Sequence, residues 1–314
     1  MNCLVTGAAG FIGSHLCRRL LKEGFYVTGI DSFTSFYPKW IKERNIQPFL
    51  NEKKFEFIAE DINTLSLKKL LQKADYVFHI AAQAGVRSSW GKEFSTYTKN
   101  NIEATQKLLE ESKEAGINKF IYASSSSVYG FCPELPTSED SPLLPYSPYG
   151  VTKLAGEHLC FLYFKNYGVP CISLRFFTVY GPGQRPDMAF HRFFKAIAEN
   201  RSISIYGNGE QTRDFTYIND IIEANFASIK LGKIGETYNI GGGNRRKMID
   251  LFPIFEDICK KKVQINWQEN QRGDVLHTFA SIEKAKRDLN YKPKFKLYDG
   301  LQEEFKWIKT LYSI

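Results

Sequence analysis

The sequence lacks the cysteine pairs on which metal sites, disulfide frameworks and redox motifs are built. Its six cysteines include no C-x-x-C pair, and none is grouped with histidines at metal-ligand spacing. Zinc ribbons, thioredoxin-like sites and small disulfide-rich folds all require such pairs. We therefore expect no bound metal and reduced thiols, as in the cytoplasm.

Long apolar runs, linkers and repeats are also missing. No apolar stretch approaches the roughly 20 residues that a membrane helix needs, and the first residues follow a strand pattern rather than that of a signal peptide. A chain of 314 residues has room for one large domain or two smaller ones. These absences favour a cytoplasmic globular protein with no membrane partner.

The net charge is +8, but the sequence lacks a concentrated basic motif. Lysines are spread along the chain, and no basic stripe with interleaved aromatic residues is present. Proteins that bind nucleic acid usually gather their basic residues on one element or face. We therefore expect no nucleic-acid partner and interpret the charge as a solvated, lysine-rich surface.

What the sequence does contain is a glycine-rich turn between a strand pattern and a helix pattern. The apolar run 2–6 is typical of a buried strand, and apolar residues recur at helical spacing over 11–22. Glycines between them let the backbone approach a pyrophosphate, which favours the helix N-terminus. The residues predicted to form this dinucleotide-binding turn are Gly7, Gly10, Phe11, Ile12 and Gly13.

An acidic residue at the end of the next strand pattern indicates which dinucleotide is bound. The run 25–30 is a second strand pattern, and Asp31 follows it. A carboxylate at this place accepts hydrogen bonds from the adenosine ribose and repels a 2′-phosphate. The glycine spacing, G-x-x-G-x-x-G, is also compatible with a purely structural turn. With strand, helix and Asp31 in register, we predict NAD as the cofactor.

Strand and helix patterns alternate through the first half of the chain, as in a parallel sheet wound on both faces. We predict an α/β fold with an NAD-binding, Rossmann-type doubly wound parallel sheet over 1–175. A smaller α/β substrate-binding lobe covers 176–314, and a strand near 236–241 returns to the sheet. The remaining predicted strands are 54–59, 75–82, 119–124 and 171–175, and the remaining helices are 65–71, 100–115 and 148–167.

A Tyr-x-x-x-Lys pair far downstream of the glycine turn indicates acid/base chemistry. Tyr149 and Lys153 are four residues apart near the start of a predicted helix, so they share one face. A cation beside a phenol lowers the phenol pKa toward the range in which it exchanges protons. Upstream, a strand pattern ends in the serines 124–127, whose hydroxyls are suited to hold a reacting oxygen against the tyrosine.

These motifs resemble the extended short-chain dehydrogenase/reductase family of nucleotide-sugar epimerases, dehydratases and decarboxylases. The resemblance covers almost the whole chain. The matching segments are TGAAGFIGSHL (6–16), HIAAQAGVR (79–87), NNIEAT (100–105), SSSSVYG (124–130), YSPYGVTKLAGE (146–157), RFFTVYGPGQRPDMA (175–189), QTRDFTYINDI (211–221) and QRGDV (271–275).

The resemblance implies roles for single residues on the cofactor side and at the reacting centre. The implied cofactor contacts are Asp61 and Ile62 beside the adenine, Ala81 and Asn100 along the cofactor channel, and Tyr149 and Lys153 at the reacting end. The implied catalytic set is Ser125, Tyr149 and Lys153, with Ser126 as an alternative bridge to the sugar hydroxyl.

On the substrate side the resemblance implies a nucleoside diphosphate site. Its implied contacts are Arg213 and the Arg272/Asp274 pair at the diphosphate and ribose, and Tyr206 beside the nucleobase. Arginine suits a diphosphate because its planar fork matches the phosphate oxygens.

The residues before Val128 and after Phe177 indicate the branch of the family. Dehydratases carry an acid pair where this chain has Ser126 and Ser127, and the decarboxylases usually carry a glutamate in place of Ser127. UDP-galactose 4-epimerases typically place an asparagine at Thr178. The chain looks most like the UDP-glucuronate 4-epimerases. Residues expected to hold the sugar carboxylate are Thr178, Arg185 and Arg87, of which Arg87 is equally suited to capping a loop. Ser127 is also expected to bind the substrate.

This resemblance implies NAD-dependent C4 epimerisation of a UDP-sugar, most simply UDP-glucuronate to UDP-galacturonate through a transient 4-keto sugar. Three alternatives remain open: a UDP-glucose or UDP-N-acetylglucosamine 4-epimerase, a UDP-glucuronate decarboxylase, and an NAD-sensing regulatory protein. Family members usually form homodimers, here through helices near 100–115 and 150–166.

Overall fold

The computed structural model of the protein describes residues 1–271 and 273–314. The strands, in chain order, are β1 (Asn2–Thr6), β2 (Tyr26–Ile30), β3 (Phe55–Ile58), β4 (Tyr76–His79), β5 (Lys119–Ser125), β6 (Cys171–Phe176), β7 (Val179–Tyr180), β8 (Ile203–Tyr206), β9 (Thr212–Tyr217), β10 (Thr237–Ile240), β11 (Asn244–Lys247) and β12 (Ile265–Gln268). The α-helices are α1 (Phe11–Lys22), α2 (Lys39–Ile46), α3 (Lys68–Lys73), α4 (Phe94–Tyr97), α5 (Ala104–Ser112), α6 (Pro148–Tyr167), α7 (Ala189–Ala198), α8 (Ile218–Lys230), α9 (Phe252–Cys259), α10 (Glu283–Leu289) and α11 (Leu297–Tyr312).

The main sheet is parallel, with the strand order β10-β6-β5-β4-β1-β2-β3. This is the order of a Rossmann-type sheet with one further strand at its edge, so the predicted fold class is confirmed. Helices cover both faces, which is why the central strands read as nearly continuous apolar runs. Every residue of β6, for example, is buried.

The strand order reverses at β1, where the glycine turn begins. β1 pairs with β2 on one side and with β4 on the other. Connections that leave such neighbours toward opposite faces of the sheet open a crevice at the carboxyl ends of the strands. The glycine turn after β1 and the segment after β4 border this crevice.

Helix α6, which carries the Tyr-x-x-x-Lys pair, has the bounds predicted from the sequence. Pro148 occupies its first turn, and the Ser147 hydroxyl accepts a hydrogen bond from the Gly150 N–H at 3.1 Å. Gly168 ends the helix at φ = 72°, a conformation that glycine adopts at little cost. Both ends are therefore set by local signals.

Two other helices differ from their predictions. The helix expected over 65–71 is α3, Lys68–Lys73. The one expected over 100–115 begins with α4, passes through a π-turn at Thr98–Glu103 and ends with α5 at Ser112. The wider turn surrounds Asn101, whose side chain is buried. Its side-chain amide accepts a hydrogen bond from the Gln83 N–H at 2.7 Å and donates one to the Gln83 carbonyl at 3.0 Å. This contact with a distant segment gives no local signal in the sequence.

The second part of the chain forms a smaller lobe and also returns to the main sheet. The lobe contains the sheet β11-β9-β7 and the pair β12-β8, with α7, α9 and α11 packed against one another. The strand expected near 236–241 is β10, which pairs with β6, and α8 packs against α1. The apolar core is continuous between the two parts.

Candidate active site

One cavity is lined by every residue that the sequence analysis assigned to the cofactor. It lies along the crevice at the strand-order reversal and ends at the Tyr-x-x-x-Lys pair. The assigned residues in its lining are Gly7, Gly10, Phe11, Ile12, Gly13, Asp31, Asp61, Ile62, Ala81, Asn100, Tyr149 and Lys153.

The backbone of the glycine turn is packed so closely that two of its positions require glycine. A Cβ atom on Gly13 would stand 2.1 Å from the Gly7 carbonyl oxygen, and one on Gly7, at φ = 69°, would stand 2.9 Å from the Ala81 backbone. In the described part of the chain, no side chain caps the N-terminus of α1. Exposed N–H groups at a helix N-terminus favour an anion, so the residues fit the pyrophosphate of a dinucleotide.

Asp31 is held rigidly at the far end of this cavity. Its two carboxylate oxygens accept hydrogen bonds from the backbone N–H of Phe33 at 2.8 Å and of Ala9 at 3.1 Å. Burial raises the pKa of Asp31, and the Phe33 N–H and the Lys42 ammonium oppose that effect. Lys42, which sequence reasoning missed, is buried in the same lining and donates to the Thr34 carbonyl at 2.8 Å.

Tyr149 borders both this cavity and a second one, described below. Burial raises the pKa of its phenol, opposed first by the charge of Arg185 and then by a hydrogen bond with Ser125. That Lys153 lowers this pKa stays a prediction. The ammonium of Lys153 lies 4.5 Å from the centre of the Tyr122 ring. Burial lowers the pKa of Lys153 to about 8.

All four serines of the cluster line a cavity, and Ser124 also bonds to a residue of the protein interior. The Ser125 hydroxyl accepts from the Ser127 N–H at 3.1 Å and donates to the Ser127 hydroxyl at 3.2 Å. Together with Ser126, these two residues line the second cavity. Ser124 is buried and donates to the carboxylate of Glu157.

A buried polar network beneath α6 was not foreseen from the sequence. Glu157, one turn after Lys153, pairs with Arg175 of β6 at 2.7 Å. Arg175 donates to the Tyr129 hydroxyl, which donates to Asn239 of β10, each at 2.7 Å. The network ties the catalytic helix to two strands of the main sheet. Glu157, Arg175 and Tyr129 lie in quoted motifs and Asn239 lies in none, and nothing in their spacing indicates that they meet.

The second cavity joins the smaller lobe to the Tyr149 end of the first. Of the residues assigned to catalysis or substrate, the following line it: Arg87, Ser125, Ser126, Ser127, Tyr149, Thr178, Arg185, Tyr206, Arg213 and Asp274. Arg272, assigned to the diphosphate, lies outside the described residues.

Arg87 was expected to hold the sugar carboxylate. In the structure its guanidinium is already paired with another residue. Its guanidinium bonds both carboxylate oxygens of Asp274, at 2.6 and 3.3 Å, and lies 4.0 Å from the centre of the Tyr206 ring. Asp274 and Tyr206 were assigned to the ribose and the nucleobase. The structure therefore moves Arg87 from the acid-binding corner to the nucleotide end of the cavity.

Arg213 adds positive charge at the same end. Its guanidinium donates to the carbonyl oxygens of Thr212 and Leu276, at 2.9 and 3.1 Å. Burial lowers the pKa of Arg213, the carboxylate of Asp274 opposes that effect, and the charge of Arg87 reinforces it. Two guanidinium groups at one end of a cavity favour an anion such as a diphosphate.

The acid-binding corner contains Thr178 and Arg185, as expected, and one residue that sequence reasoning missed. Asp187 holds Arg185 through two hydrogen bonds of 2.9 Å, from Nε and Nη2. Nη1 of Arg185 and the hydroxyl of Thr178 have no hydrogen-bond partner within residues 1–271 and 273–314. Both groups are thus open to a substrate.

Two kinds of site are not found in the part of the chain that the structure describes. No group of three or more histidine, cysteine, aspartate or glutamate side chains is arranged to hold a metal ion there. None of the helices in that part has the length and apolarity needed to cross a membrane.

Comparisons with known proteins agree with this geometry. Residues 3–241 match the model of the NAD dependent epimerase/dehydratase family. The uncharacterized UDP-glucose epimerase YtcB of Bacillus subtilis (strain 168) is 48% identical over 100% of this chain and 99% of its own length. The UDP-glucuronate 4-epimerase of Thermodesulfobacterium geofontis (strain OPF15) is 40% identical over 98% and 95%. A crystal structure of UDP-glucuronic acid 4-epimerase from Bacillus cereus, in complex with UDP-glucuronic acid and NAD, superposes with a TM-score of 0.97. It is 50% identical and covers 99% of this chain and 100% of that one.

Proposed function

The chain belongs to the NAD dependent epimerase/dehydratase family, and from this we propose that it is an NAD-dependent UDP-glucuronate 4-epimerase. It interconverts UDP-glucuronate and UDP-galacturonate through a 4-keto intermediate. The Bacillus cereus relative, crystallised with UDP-glucuronic acid and NAD, supports the enzyme class, the substrate and the cofactor.

The observation that carries this proposal is the position of Tyr149 in the walls of two cavities. One is suited to a dinucleotide and the other to a nucleoside diphosphate sugar. A sugar hydroxyl at their junction lies within reach of the phenol and of Ser125. NAD, when bound, takes up the C4 hydride and returns it to the opposite face of the ring. Tyr149 exchanges the 4-hydroxyl proton in both directions, and Ser125 orients that oxygen.

The charges in the second cavity argue against a dehydratase. Elimination of water needs an acid and a base of its own. The carboxylates in the described lining are Asp187 and Asp274, each engaged in two hydrogen bonds to an arginine. Ser126 and Ser127 stand where dehydratases carry their acid pair. The chemistry that remains is proton and hydride exchange at one carbon.

A uronic acid oxidised at C4 is a β-keto acid and loses CO₂ when its C5–carboxylate bond stands perpendicular to the carbonyl plane. An epimerase must keep that bond away from the perpendicular. Thr178, Ser127 and Arg185 offer hydroxyl and guanidinium donors for this purpose. The same donors thus select the substrate and protect the intermediate.

The UDP moiety stays bound while the keto sugar turns. Tyr206, Arg213 and Asp274 form the nucleotide end, and Arg87 adds a cation there. A hold at this end leaves the sugar free to rotate about its diphosphate linkage and present its other face to the same hydride donor.

We also propose a homodimer built on α6 and the α4–α5 segment. α6 exposes apolar side chains that a solvated helix would not carry, namely Val151, Phe161, Leu162 and Tyr167. A patch of this kind on a folded chain favours a protein partner. Sedimentation should give the mass of two chains, and Phe161→Lys with Leu162→Lys should give that of one.

We further propose that the protein works in the cytoplasm. All six cysteines are free, five of them buried, and burial together with the neighbouring Cys171 thiol raises the pKa of Cys160. Neighbouring thiols stay reduced in a reducing compartment. Alkylation of the denatured protein taken directly from cells should label every cysteine.

The deciding experiment is NMR of the products formed from UDP-glucuronate without added NAD. UDP-galacturonate supports the proposal, and Tyr149→Phe is the inactive control. Formation of CO₂ with a UDP-pentose would make the protein a decarboxylase. Absence of turnover with both UDP-glucuronate and UDP-glucose, together with binding of NAD, would leave a regulatory role.

A hexose epimerase is the second candidate, favoured by the relative named as a UDP-glucose epimerase, which is 48% identical. UDP-glucose assayed in parallel separates the two. The proposal requires kcat/KM to be higher with UDP-glucuronate.

A further inference from the structure

We propose that the turn Gly181–Gln184 is a fixed arm that sets the position of Arg185, and that Glu304, His15 and His191 are its positioning residues. This inference rests on the proposed function, in which Arg185 restrains the sugar carboxylate. None of the three positioning residues lines the second cavity. They act through the backbone of the arm.

Glu304 of α11 holds the start of the arm. Its carboxyl group is fully buried, and its Oε2 accepts a hydrogen bond from the Gly181 N–H at 2.7 Å. Burial raises the pKa of Glu304 well above its usual value, and the hydrogen bond from the Gly181 N–H opposes that effect. Burying a carboxyl group costs free energy unless the group is hydrogen-bonded in the interior. Within residues 1–271 and 273–314, the hydrogen-bond partner of the Glu304 carboxyl group is this single backbone N–H.

Two histidines hold the middle and the end of the arm. His15 of α1 donates from Nε2 to the Pro182 carbonyl at 2.8 Å. His191 of α7 donates from Nδ1 to the Gln184 carbonyl at 2.6 Å, and its own N–H donates to the Gln184 side chain at 3.0 Å. Burial lowers the pKa of both imidazoles to about 4, so they stay neutral donors.

The backbone of the arm is closely packed between these contacts. Gly181 lies at φ = 129°, and a Cβ atom there would stand 2.7 Å from Cγ2 of Ile218. Gly183 lies at φ = 88°, with the corresponding position 3.3 Å from both His15 and Phe11. Three helices from distant parts of the sequence therefore fix four consecutive residues.

The arm leads directly into the acid-binding corner. Arg185 is the next residue, and it borders both cavities. His15 belongs to α1, whose first residues form the glycine turn, so the cofactor helix and the arm are one rigid unit. A displacement of about 1 Å at a reacting group can cost on the order of 100-fold in rate. The same displacement at Arg185 would free the carboxylate to turn toward the perpendicular.

The experiment compares Glu304→Leu with Glu303→Leu, a matched change at the exposed neighbouring residue. Glu304→Leu removes the acceptor of the Gly181 N–H at similar volume. We expect KM for UDP-glucuronate to rise on the order of 10-fold and the decarboxylated fraction of product to rise several-fold. The Kd for UDP, which has no carboxylate, should stay within about twofold. Glu304→Gln keeps an acceptor and should restore the wild-type values.

His15→Phe provides a second, independent variant. It removes the donor to Pro182 and keeps an aromatic ring beside Phe11, with which His15 packs edge-on at 6.0 Å. It should change the product ratio in the same direction. If Glu304→Leu does not fold, His15→Phe decides the question alone.

The outcomes separate the arm from the proposed function. Wild-type protein that forms no UDP-galacturonate refutes the proposed function. Wild-type activity with folded Glu304→Leu or His15→Phe variants that match Glu303→Leu in KM and product ratio refutes the arm. A loss that extends equally to UDP binding also refutes it, because a general disturbance of the cavity would then explain the result.

Discussion

Thr178→Ala tests how the sugar carboxylate is restrained. Thr178 lies between β6 and β7, and its side chain lines the second cavity. Its carbonyl accepts a hydrogen bond from the Thr216 N–H at 2.9 Å, which alanine preserves. The substitution therefore removes one hydroxyl from the site and leaves the local backbone held as before.

The magnitude follows from the type of hydrogen bond that is lost. A hydroxyl bound to a carboxylate contributes about 1.5–3 kcal/mol. At about 1.4 kcal/mol per factor of ten, this corresponds to roughly a 10- to 150-fold change. Part of this lost binding free energy appears as slower epimerisation. The rest appears as decarboxylation, because the C5–carboxylate bond of the 4-keto sugar is freed to approach the perpendicular.

The assay follows UDP-glucuronate by NMR while CO₂ and bound NADH are measured. Wild-type protein should give UDP-galacturonate with little CO₂. Thr178→Ala should give less epimer, a larger fraction of CO₂ and NADH trapped beside a 4-keto-pentose. Thr178→Ser keeps the hydroxyl and serves as the control.

Slower turnover alone would contradict this reasoning. If Thr178→Ala loses activity and the decarboxylated fraction stays at the wild-type value, Thr178 does not restrain the carboxylate. A serine variant that behaves like the alanine variant would point instead to the lost methyl group and its packing.

Four further outcomes are expected. Tyr149→Phe should lower kcat at least ~10²-fold with NAD still bound, and near-normal turnover would remove the phenol from its role. The pKa of Lys153 is lowered to about 8, so its ammonium loses a proton as pH rises through that value. We therefore expect kcat to fall above about pH 8. A kcat still rising at pH 9 would contradict this. NAD should co-purify with the protein, and Asp31→Ala should gain affinity for NADP because Lys42 remains in the lining; equal wild-type affinity for both cofactors would contradict the role of Asp31. Glu157→Gln strands the buried guanidinium that pairs with it, so the free energy of unfolding should fall by about 3–5 kcal/mol, measured by denaturant titration; a loss below ~1 kcal/mol would show that water reaches the pair.

Local signals in the sequence determined the elements that carry the site. α6 begins at Pro148 behind the Ser147 cap and ends at Gly168 because proline, serine and glycine act through their own backbone conformations. The glycine turn and the strand before it are likewise set by neighbours in the chain. The placement of the glycine turn and Asp31 in one crevice followed from the parallel order of strands and helices. The assignment of Asp61, Ile62, Ala81 and Asn100 to the cofactor rested on the family resemblance.

Contacts between distant residues could not be predicted in the same way. The π-turn around Asn101 depends on the Gln83 backbone, and the placement of Arg87 depends on Asp274, 187 positions away. Charge signs in the sequence do not indicate which pairs will meet. The position of the Lys153 ammonium, 4.5 Å from the centre of the Tyr122 ring, likewise depends on a residue of a separate strand.

The sequence by itself therefore determined the fold class, the glycine turn, the catalytic helix and the kind of chemistry, since each depends on residues close together in the chain. The tertiary structure alone decided how the charges pair, which phenol and ammonium are desolvated, and what holds Arg185. These properties depend on burial and on distances between atoms from separate elements, which exist only once the chain has packed.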